Sequence, residues 1–401
     1  MKIGILTASF LPKIGGAQVF SYNIGRYLYK SGHTVNTYVP VENYRALNTN
    51  FRSGLIPLPT KFYGAVRKIP YIGLKRAQRY LLNQQQEHKY DVWLIVATYP
   101  SGYVATCLKN LVPIILRASG EDIQKSSVLN YGLRLNRSNE NRIAKTLQSY
   151  DHLAALTKSV VKDYMDLNVN EKSITILPNG VDLEWFKPKI TTTDIRKDLS
   201  WPIDKDIILT TGRNHPKKGY DMIPYIADSL RSKGFRFKWY VVGLGTNQIN
   251  SELASLNLNE YVETVNEIGV TSESQPELKF PDRQLVYMYQ AADIYAFPSM
   301  LETFGMVQLE AMAAGTTVVS TDAPGCKDVV THMDNGLQAI SGDKESFTNQ
   351  VATLLENKQL RKTLSGRASN FVNNYGWPSI ASKYESLFEK TIDNHNYSKT
   401  I

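Results

Sequence analysis

The chain of 401 residues, 42% hydrophobic and 21% charged, is long enough for two cores and has the composition of an ordinary globular protein. Its two cysteines, Cys107 and Cys326, lie far apart at no metal-ligand spacing, which argues against a disulfide framework or zinc site and for a reducing, cytoplasmic compartment. A net charge of +9 invites an anionic partner, and no run of about 18 apolar residues is available to span a membrane.

Lys2 to Thr7 reads as a buried parallel strand, and the apolar start is too short for a signal-peptide core. The loop Phe10 to Gln18 carries Gly15 and Gly16 ahead of a helix running to about Lys30. Strand, glycine pair and helix make a place where backbone approaches a phosphate or sugar closely, so Gly16 is a candidate binding residue. After a second strand, Thr34 to Val39, comes a one-sided stretch. Arg52, Lys61, Arg67, Lys68, Lys75, Arg76 and Arg79 lie between Glu42 and Glu87 with no acidic residue among them. Phe62, Tyr63, Tyr71, Ile72, Leu74, Tyr80 and Leu81 are interleaved, and from Tyr71 to Gln85 the pattern allows a helix with basic and apolar faces. Residues 52–79 then rest on an anionic membrane surface, making the protein peripheral, or attract a soluble anionic acceptor, or pack their apolar side on the domain. Strands follow at Asp91 to Ala97, Pro113 to Ala118, His152 to Leu156 and Ile174 to Leu177, alternating with segments of helical length as in a doubly wound sheet. Ser119 and Asp122, in LRASGEDIQ, sit at a strand end where such sheets place ligands. The turn residues of Leu177 to Asp182 place a domain boundary near residue 185, and the segment to about Lys205 reads as a linker.

Asp204 and Asp206 have the look of a metal pair, but just before a strand they flank a turn, and no metal is expected. Ile207 to Thr211 opens a second sheet. In the loop Gly212 to Gly219 after it, Arg213 and Lys218 are both able to reach one diphosphate, the arginine through a planar fork and the lysine as a point charge. Lys238 to Val242 is the next strand; its Gly243-Leu-Gly245 turn is an incomplete dinucleotide fingerprint. A strand at Val262 to Ile268, an irregular loop at Gly269 to Gln284 and a helix at Leu285 to Gln290 lead to the strand Ile294 to Phe297. A loop with Glu302 precedes a helix over Gly305 to Ala314, and the β-branched run Thr317 to Thr321 follows. The first amides of that helix, at Met306 and Val307, have no internal partners and suit a phosphate. Glu310 stands one turn on, on the same face, placed to accept hydrogen bonds from a pair of sugar hydroxyls, and Glu302 to do so for a second sugar. Trp377, Ile380, Tyr384, Leu387 and Phe388 recur at helical spacing around Pro378, giving a terminal helix.

The stretch PSMLETFGMVQLEAMAAG, with Glu302 and Glu310 separated by seven residues, resembles the signature of the family 4 retaining glycosyltransferases of the GT-B fold. The loop with Arg213 and Lys218, the glycine-rich first loop and the PNGVD segment resemble the corresponding family elements. The resemblance implies two Rossmann-like α/β domains facing a cleft, an acceptor-binding domain over 1–185, a nucleotide-sugar domain over 186–375, and a helix over 376–401 that returns to the first. It implies transfer of a sugar from a UDP- or GDP-sugar to a saccharide or lipid-linked acceptor, with no cofactor and no metal. Glu302 then meets the transferred sugar, the backbone of Thr303, Phe304 and Gly305 its hydroxyls, Met306 and Val307 the diphosphate, and Glu310 the ribose. Arg213 and Lys218 neutralise the leaving diphosphate. Ser119 stands where the family carries a histidine, so that residue's proton-handling role does not transfer, and Gln18 replaces a common acidic residue. A nucleotide-sugar epimerase of the same fold is the alternative. A basic nucleic-acid-binding protein fits less well, for lack of a recognition motif. Because Arg213, Lys218 and Glu302 are loop positions, their substitution is expected to leave folding little changed.

Overall fold

A computed structural model describes residues 1–47, 54–59, 62–63, 70–268 and 277–400. Two units separate: one runs from Met1 to Gly180 and takes in Glu277 and the C-terminal helix from Trp377, and the other comprises the remaining described residues between Val181 and Gly376.

The first unit is a seven-stranded sheet of β1 (Lys2–Thr7), β2 (Thr34–Val39), β3 (Leu55–Pro57), β4 (Val92–Val96), β5 (Ile114–Arg117), β6 (His152–Ala155) and β7 (Ile174–Ile176). Its order is β3-β2-β1-β4-β5-β6-β7, with every pair parallel. The central strand β4 is a continuous apolar run, buried throughout, as expected of a parallel strand covered on both faces. Trp93 lies flat over Gly4, where an added Cβ would meet its ring at 2.7 Å. The second unit is a six-stranded parallel sheet of β8 (Asp206–Thr211), β9 (Phe237–Val242), β10 (Val262–Val265), β11 (Ile294–Ala296), β12 (Thr317–Thr321) and β13 (Leu337–Ala339). Its order, β10-β9-β8-β11-β12-β13, reverses direction between β8 and β11. The loops leaving the carboxyl ends of those two strands flank the switch point, where open α/β sheets hold ligands. One is Gly212 to Gly219 and the other Phe297 to Gly305.

Two strands escape sequence reading. Both β3 and β13 are three-residue edge strands, too short to show a period, and β3 ends on Pro57. The expected linker after residue 185 is corrected: Thr192–Asp198 is a helix whose Thr191 cap accepts from the Asp194 amide. Arg196 on that helix pairs with Asp293 at 2.7 Å and donates to Ala291 O at 2.9 Å, tying the segment to the second sheet. Part of the expected irregular loop, residues 269–276, lies outside the described residues, and the helix after it spans Arg283–Ala291.

The terminal helix Trp377–Thr400 buries Trp377, Ile380, Ala381, Tyr384, Leu387 and Phe388. Phe20, on the helix Gly16–Lys30, has its ring 6.2 Å from Trp377 and 5.5 Å from Tyr384. The Arg117 guanidinium sits 3.7 Å over the opposite partner of this cluster, the Phe20 ring. Gly180 closes the packing, since a Cβ there would meet the Trp377 ring at 2.6 Å. Trp377→Ala is therefore expected to destabilise the first unit by about 3–5 kcal/mol; a denaturation midpoint equal to the parent's would show the helix to be undocked.

Candidate functional site

Arg213 emerges exposed at the end of β8 and forms no hydrogen bond or ion pair with a described residue. The rest of its loop turns back against the loop that follows β11. Gly219, at φ 66°, makes the approach possible, because a Cβ there would lie 2.3 Å from Pro298 O. The Met300 amide donates to Lys217 O at 2.7 Å, and Ser299 Oγ lies 3.0 Å from that carbonyl.

At the centre of this seam Lys218 Nζ reaches Glu302 Oε1 at 2.5 Å, with Ser299 Oγ 2.9 Å from the same oxygen. Lys217 Nζ stands 3.9 Å from Oε2. The Glu302 side chain is 8% exposed and that of Lys218 17%. Burial alone raises the Glu302 pKa, but the two lysines and the hydrogen bonds from Lys218 and Ser299 outweigh it and hold the carboxyl below its usual range. The backbone of Glu302 is gripped as firmly. Its amide donates to Pro324 O at 3.0 Å, and Gly325, at φ 79°, leaves only 2.0 Å between a would-be Cβ and Glu302 O.

Thr303 and Phe304 are buried and lead through Gly305 into the helix Met306–Ala313. Within its first turn the Gln308 amide is satisfied by Gly305 O at 3.0 Å, while those of Met306 and Val307 have no partner among the described residues. Gln308, fully buried, fixes this turn: its amide nitrogen lies 3.2 Å from Phe304 O, and its oxygen accepts from Ser320 Oγ at 2.6 Å. Glu310 lies one turn on. Tyr289 Oη donates to its Oε2 at 2.8 Å, and Oε1 bonds to no described residue. Burial pushes this carboxyl up to about 7, against the opposing pull of the tyrosine hydrogen bond, so two carboxylates on one motif are driven in opposite directions.

The second unit thus brings together Arg213, Lys218, Glu302, Thr303, Phe304, Gly305, Met306, Val307 and Glu310. Sequence reasoning missed Lys217, Ser299, Gly325, Gln308 and Tyr289. Of these only Gly325, in an Ala-Pro-Gly turn, and Ser299, at a strand end, carried a local signal. Asp204 and Asp206 sit at the far end of β8 and are engaged by Arg236 at 2.6 Å and Arg361 at 2.9 Å respectively.

Gly16, in the first unit, is exposed at the opening of its helix. Asp122 is 5% exposed, and its carboxylate accepts from the amides of Thr98 at 2.6 Å, Ser119 at 2.9 Å and Gly120 at 2.7 Å. It clamps the loops after β4 and β5; Ser119 beside it is half-buried, with its hydroxyl oxygen turned away from solvent. Of the basic stretch, Arg52, Lys61, Arg67 and Lys68 lie outside the described residues. The helix Pro70–His88 exposes Lys75, Arg76 and Arg79 but buries Ala77 and Leu81. Tyr80 stacks edge-on against Tyr38 at 6.4 Å, so several apolar residues of the stretch are part of the core. No helix among the described residues is long and apolar enough to cross a membrane.

Residues 191–371 match the family described as Glycosyl transferases group 1, and residues 14–185 match Glycosyltransferase Family 4. The chain belongs to the family 4 glycosyltransferases. D-inositol 3-phosphate glycosyltransferase of Corynebacterium glutamicum is 27% identical over 251 residues, 61% of this chain and 59% of that protein. Its counterpart in Kineococcus radiotolerans is 27% identical over 261 residues, 62% of this chain and 59% of that protein. The chain thus spans 59% of the length of these relatives. Among solved structures, sucrose-phosphate synthase from Thermosynechococcus elongatus superposes with a TM-score of 0.78 at 17% identity, covering 98% of this chain and 100% of that one. HepE of Anabaena, in complex with UDP, gives 0.77 at 17% identity over 97% and 100%. Both units accordingly have the Rossmann-like architecture of the GT-B fold.

The burial of the Lys218–Glu302 pair argues against the expectation that these loop substitutions leave folding little changed. Lys218→Ala strands a buried carboxylate whose next cation is 3.9 Å away, and is expected to cost roughly 3 kcal/mol. Adding Glu302→Gln to that variant should restore part of the loss; a double variant no more stable than Lys218→Ala in chemical denaturation would rule out the pair as the cause.

Proposed function

We propose that this protein transfers a sugar, with retention, from a UDP- or GDP-sugar to a saccharide or lipid-linked acceptor. What carries the reading is the convergence, at one switch point of the second unit, of an exposed arginine, a buried lysine–glutamate pair and the open amides of a helix start. These are groups for a diphosphate and a sugar together. The HepE structures with UDP and with UDP-glucose favour a uridine donor.

In this reading the diphosphate lies against the amides of Met306 and Val307, with Arg213 and Lys218 on its oxygens. The bond from the anomeric carbon to the phosphate oxygen breaks with its electron pair leaving to the diphosphate. The acceptor oxygen bonds to the same face of that carbon, and its proton passes to the departing phosphate oxygen. Donors fixed before the charge develops stabilise it without reorganising, which is where most of the rate enhancement arises. Glu302, kept ionised by its lysines, holds the sugar hydroxyls and opposes the positive charge growing at the anomeric carbon. Thr303, Phe304 and Gly305 line the sugar, and Glu310 takes the ribose. Ser119, beside the clamp formed by Asp122, is the acceptor-side residue, and the exposed Lys75, Arg76 and Arg79 favour an acceptor or surface of negative charge.

Incubation with UDP- and GDP-sugars and a panel of saccharide and lipid-linked acceptors should release nucleoside diphosphate in step with glycosylated product. An isomerised nucleotide sugar without free diphosphate would overturn the reading in favour of epimerisation. Arg213→Ala and Glu302→Gln are each expected to lower kcat by roughly 10²-fold, the usual cost of one charge-stabilising group. Turnover within a fewfold of the parent in both would remove them from the site.

Cations of the protein stand where a divalent ion would otherwise meet the diphosphate, so turnover is expected to persist in EDTA. Activity that vanishes in chelator and returns with Mg²⁺ or Mn²⁺ would show that the basic groups do not suffice.

A further inference from the structure

Behind Glu310 lies a chain of hydroxyls that the reaction proposed above does not use. Tyr289, on the helix Arg283–Ala291, and Tyr295, on β11, are fully buried, and Thr211 closes β8 at 2% exposure. Tyr289 Oη lies 2.8 Å from Glu310 Oε2 and 2.7 Å from Thr211 Oγ1, and Thr211 Oγ1 lies 3.0 Å from Tyr295 Oη. Tyr289 donates its single hydroxyl proton to Glu310. Thr211 Oγ1 then donates to Tyr289, and the Tyr295 hydroxyl, 3.0 Å from Thr211 Oγ1 and 3.4 Å from Thr211 O, donates to Thr211. One end of the relay fixes the direction of every bond in it.

The ring that carries this hydroxyl is itself immobilised. Thr316 Oγ1 donates to Tyr289 O at 2.6 Å, and the rings of Tyr295 and Phe186 lie 5.4 and 6.1 Å from that of Tyr289. A glutamate on an eight-residue helix otherwise has three side-chain torsions to lose when it meets a ligand. Here one oxygen is tethered beforehand, and the other makes no bond to a described residue.

We propose that Tyr289 is a positioning residue that holds the Glu310 carboxylate ready for the ribose 2′- and 3′-hydroxyls, with Thr211 and Tyr295 orienting the tyrosine hydroxyl. The inference rests on Glu310 as the ribose-binding group of the proposed function. Tyr289 never touches the ligand; it acts by reducing what Glu310 must lose on binding. Removing its hydroxyl weakens recognition of the diol specifically and leaves contacts with the diphosphate as they are.

The test is calorimetric titration with UDP and GDP and with their 2′,3′-dideoxy forms, against the parent, Tyr289→Phe, Thr211→Val and Glu310→Gln. The parent should prefer the ribose forms by roughly tenfold or more, the worth of a hydrogen bond to a charged group. Glu310→Gln should abolish most of that preference, Tyr289→Phe should lower it several-fold, and Thr211→Val should lower it less. Affinity for the dideoxy forms should be unchanged in all three. A preference lost in Glu310→Gln but intact in both Tyr289→Phe and Thr211→Val would overturn the role of Tyr289 and leave the ribose site standing. A preference that Glu310→Gln does not alter would overturn the ribose site itself. Equal loss of ribose and dideoxy binding in Tyr289→Phe would assign the tyrosine to general packing and reject positioning.

Discussion

The buried contact of Lys218 with Glu302 is the constraint on which the candidate site depends. It joins two loops whose sequence positions are 84 residues apart and which meet only because β8 and β11 are neighbours in the sheet. A charge pair at this depth does not stabilise a fold merely by existing, since taking both ions out of water costs several kcal/mol each. It is offset here by short geometry, by Ser299 on the same oxygen, and by Lys217 on the other side. Glycines at 219 and 325 contribute by absence, letting the backbone of Pro298 and of Glu302 come closer than any side chain would permit.

The sheet order explains why these loops and no others carry the chemistry. Between β8 and β11 the chain direction of the crossovers changes, and such a switch point is where open α/β sheets leave a crevice for a ligand. Everything assigned to the donor follows from it: the arginine that ends β8, the lysine pair turning back, and the helix that begins at Met306. Gln308 and Ser320 then anchor that helix start to β12, so the open amides of Met306 and Val307 are held in one orientation. Such fixed dipoles need no rearrangement when charge appears before them.

The apolar and β-branched runs made eleven of the strands legible, because a buried parallel strand leaves a continuous signature. The three-residue edges β3 and β13 left none. The helix Thr192–Asp198 was hidden for a different reason: Ile195 is the one large apolar residue in TTDIRKD, and its anchoring comes through Arg196, a residue that pattern reading assigns to solvent. At the site, Arg213, Lys218, Glu302 and Glu310 were readable because each falls at a strand end or helix start, where local physics already favours an anion or a hydroxyl. Tyr289 was not. Its partners Thr211, Tyr295 and Glu310 come from three other elements, and on its own helix it is one more apolar residue facing the core. Lys217 was passed over for its neighbour Lys218, since only the folded distances, 3.9 and 2.5 Å, rank the two against Glu302.

The two glutamates of the motif show what the fold adds to a signature. Spaced eight apart in sequence, they look interchangeable. In the structure two lysines hold the Glu302 carboxyl below its usual range, whereas burial pushes that of Glu310, whose described partner is a tyrosine, up to about 7. Opposite displacements of this kind separate roles between like groups. A carboxylate fixed in its charged form suits a position beside an anomeric carbon that turns positive. A carboxylate whose charge is costly in the empty site gains more from hydroxyl donors than one already neutralised by lysine. Each added hydrogen bond favours its ionised state, so in the proposed function binding a ribose and ionising Glu310 would reinforce one another. In the proposed reaction, the burial that makes the Glu310 charge costly in the empty site is also what would favour a diol there.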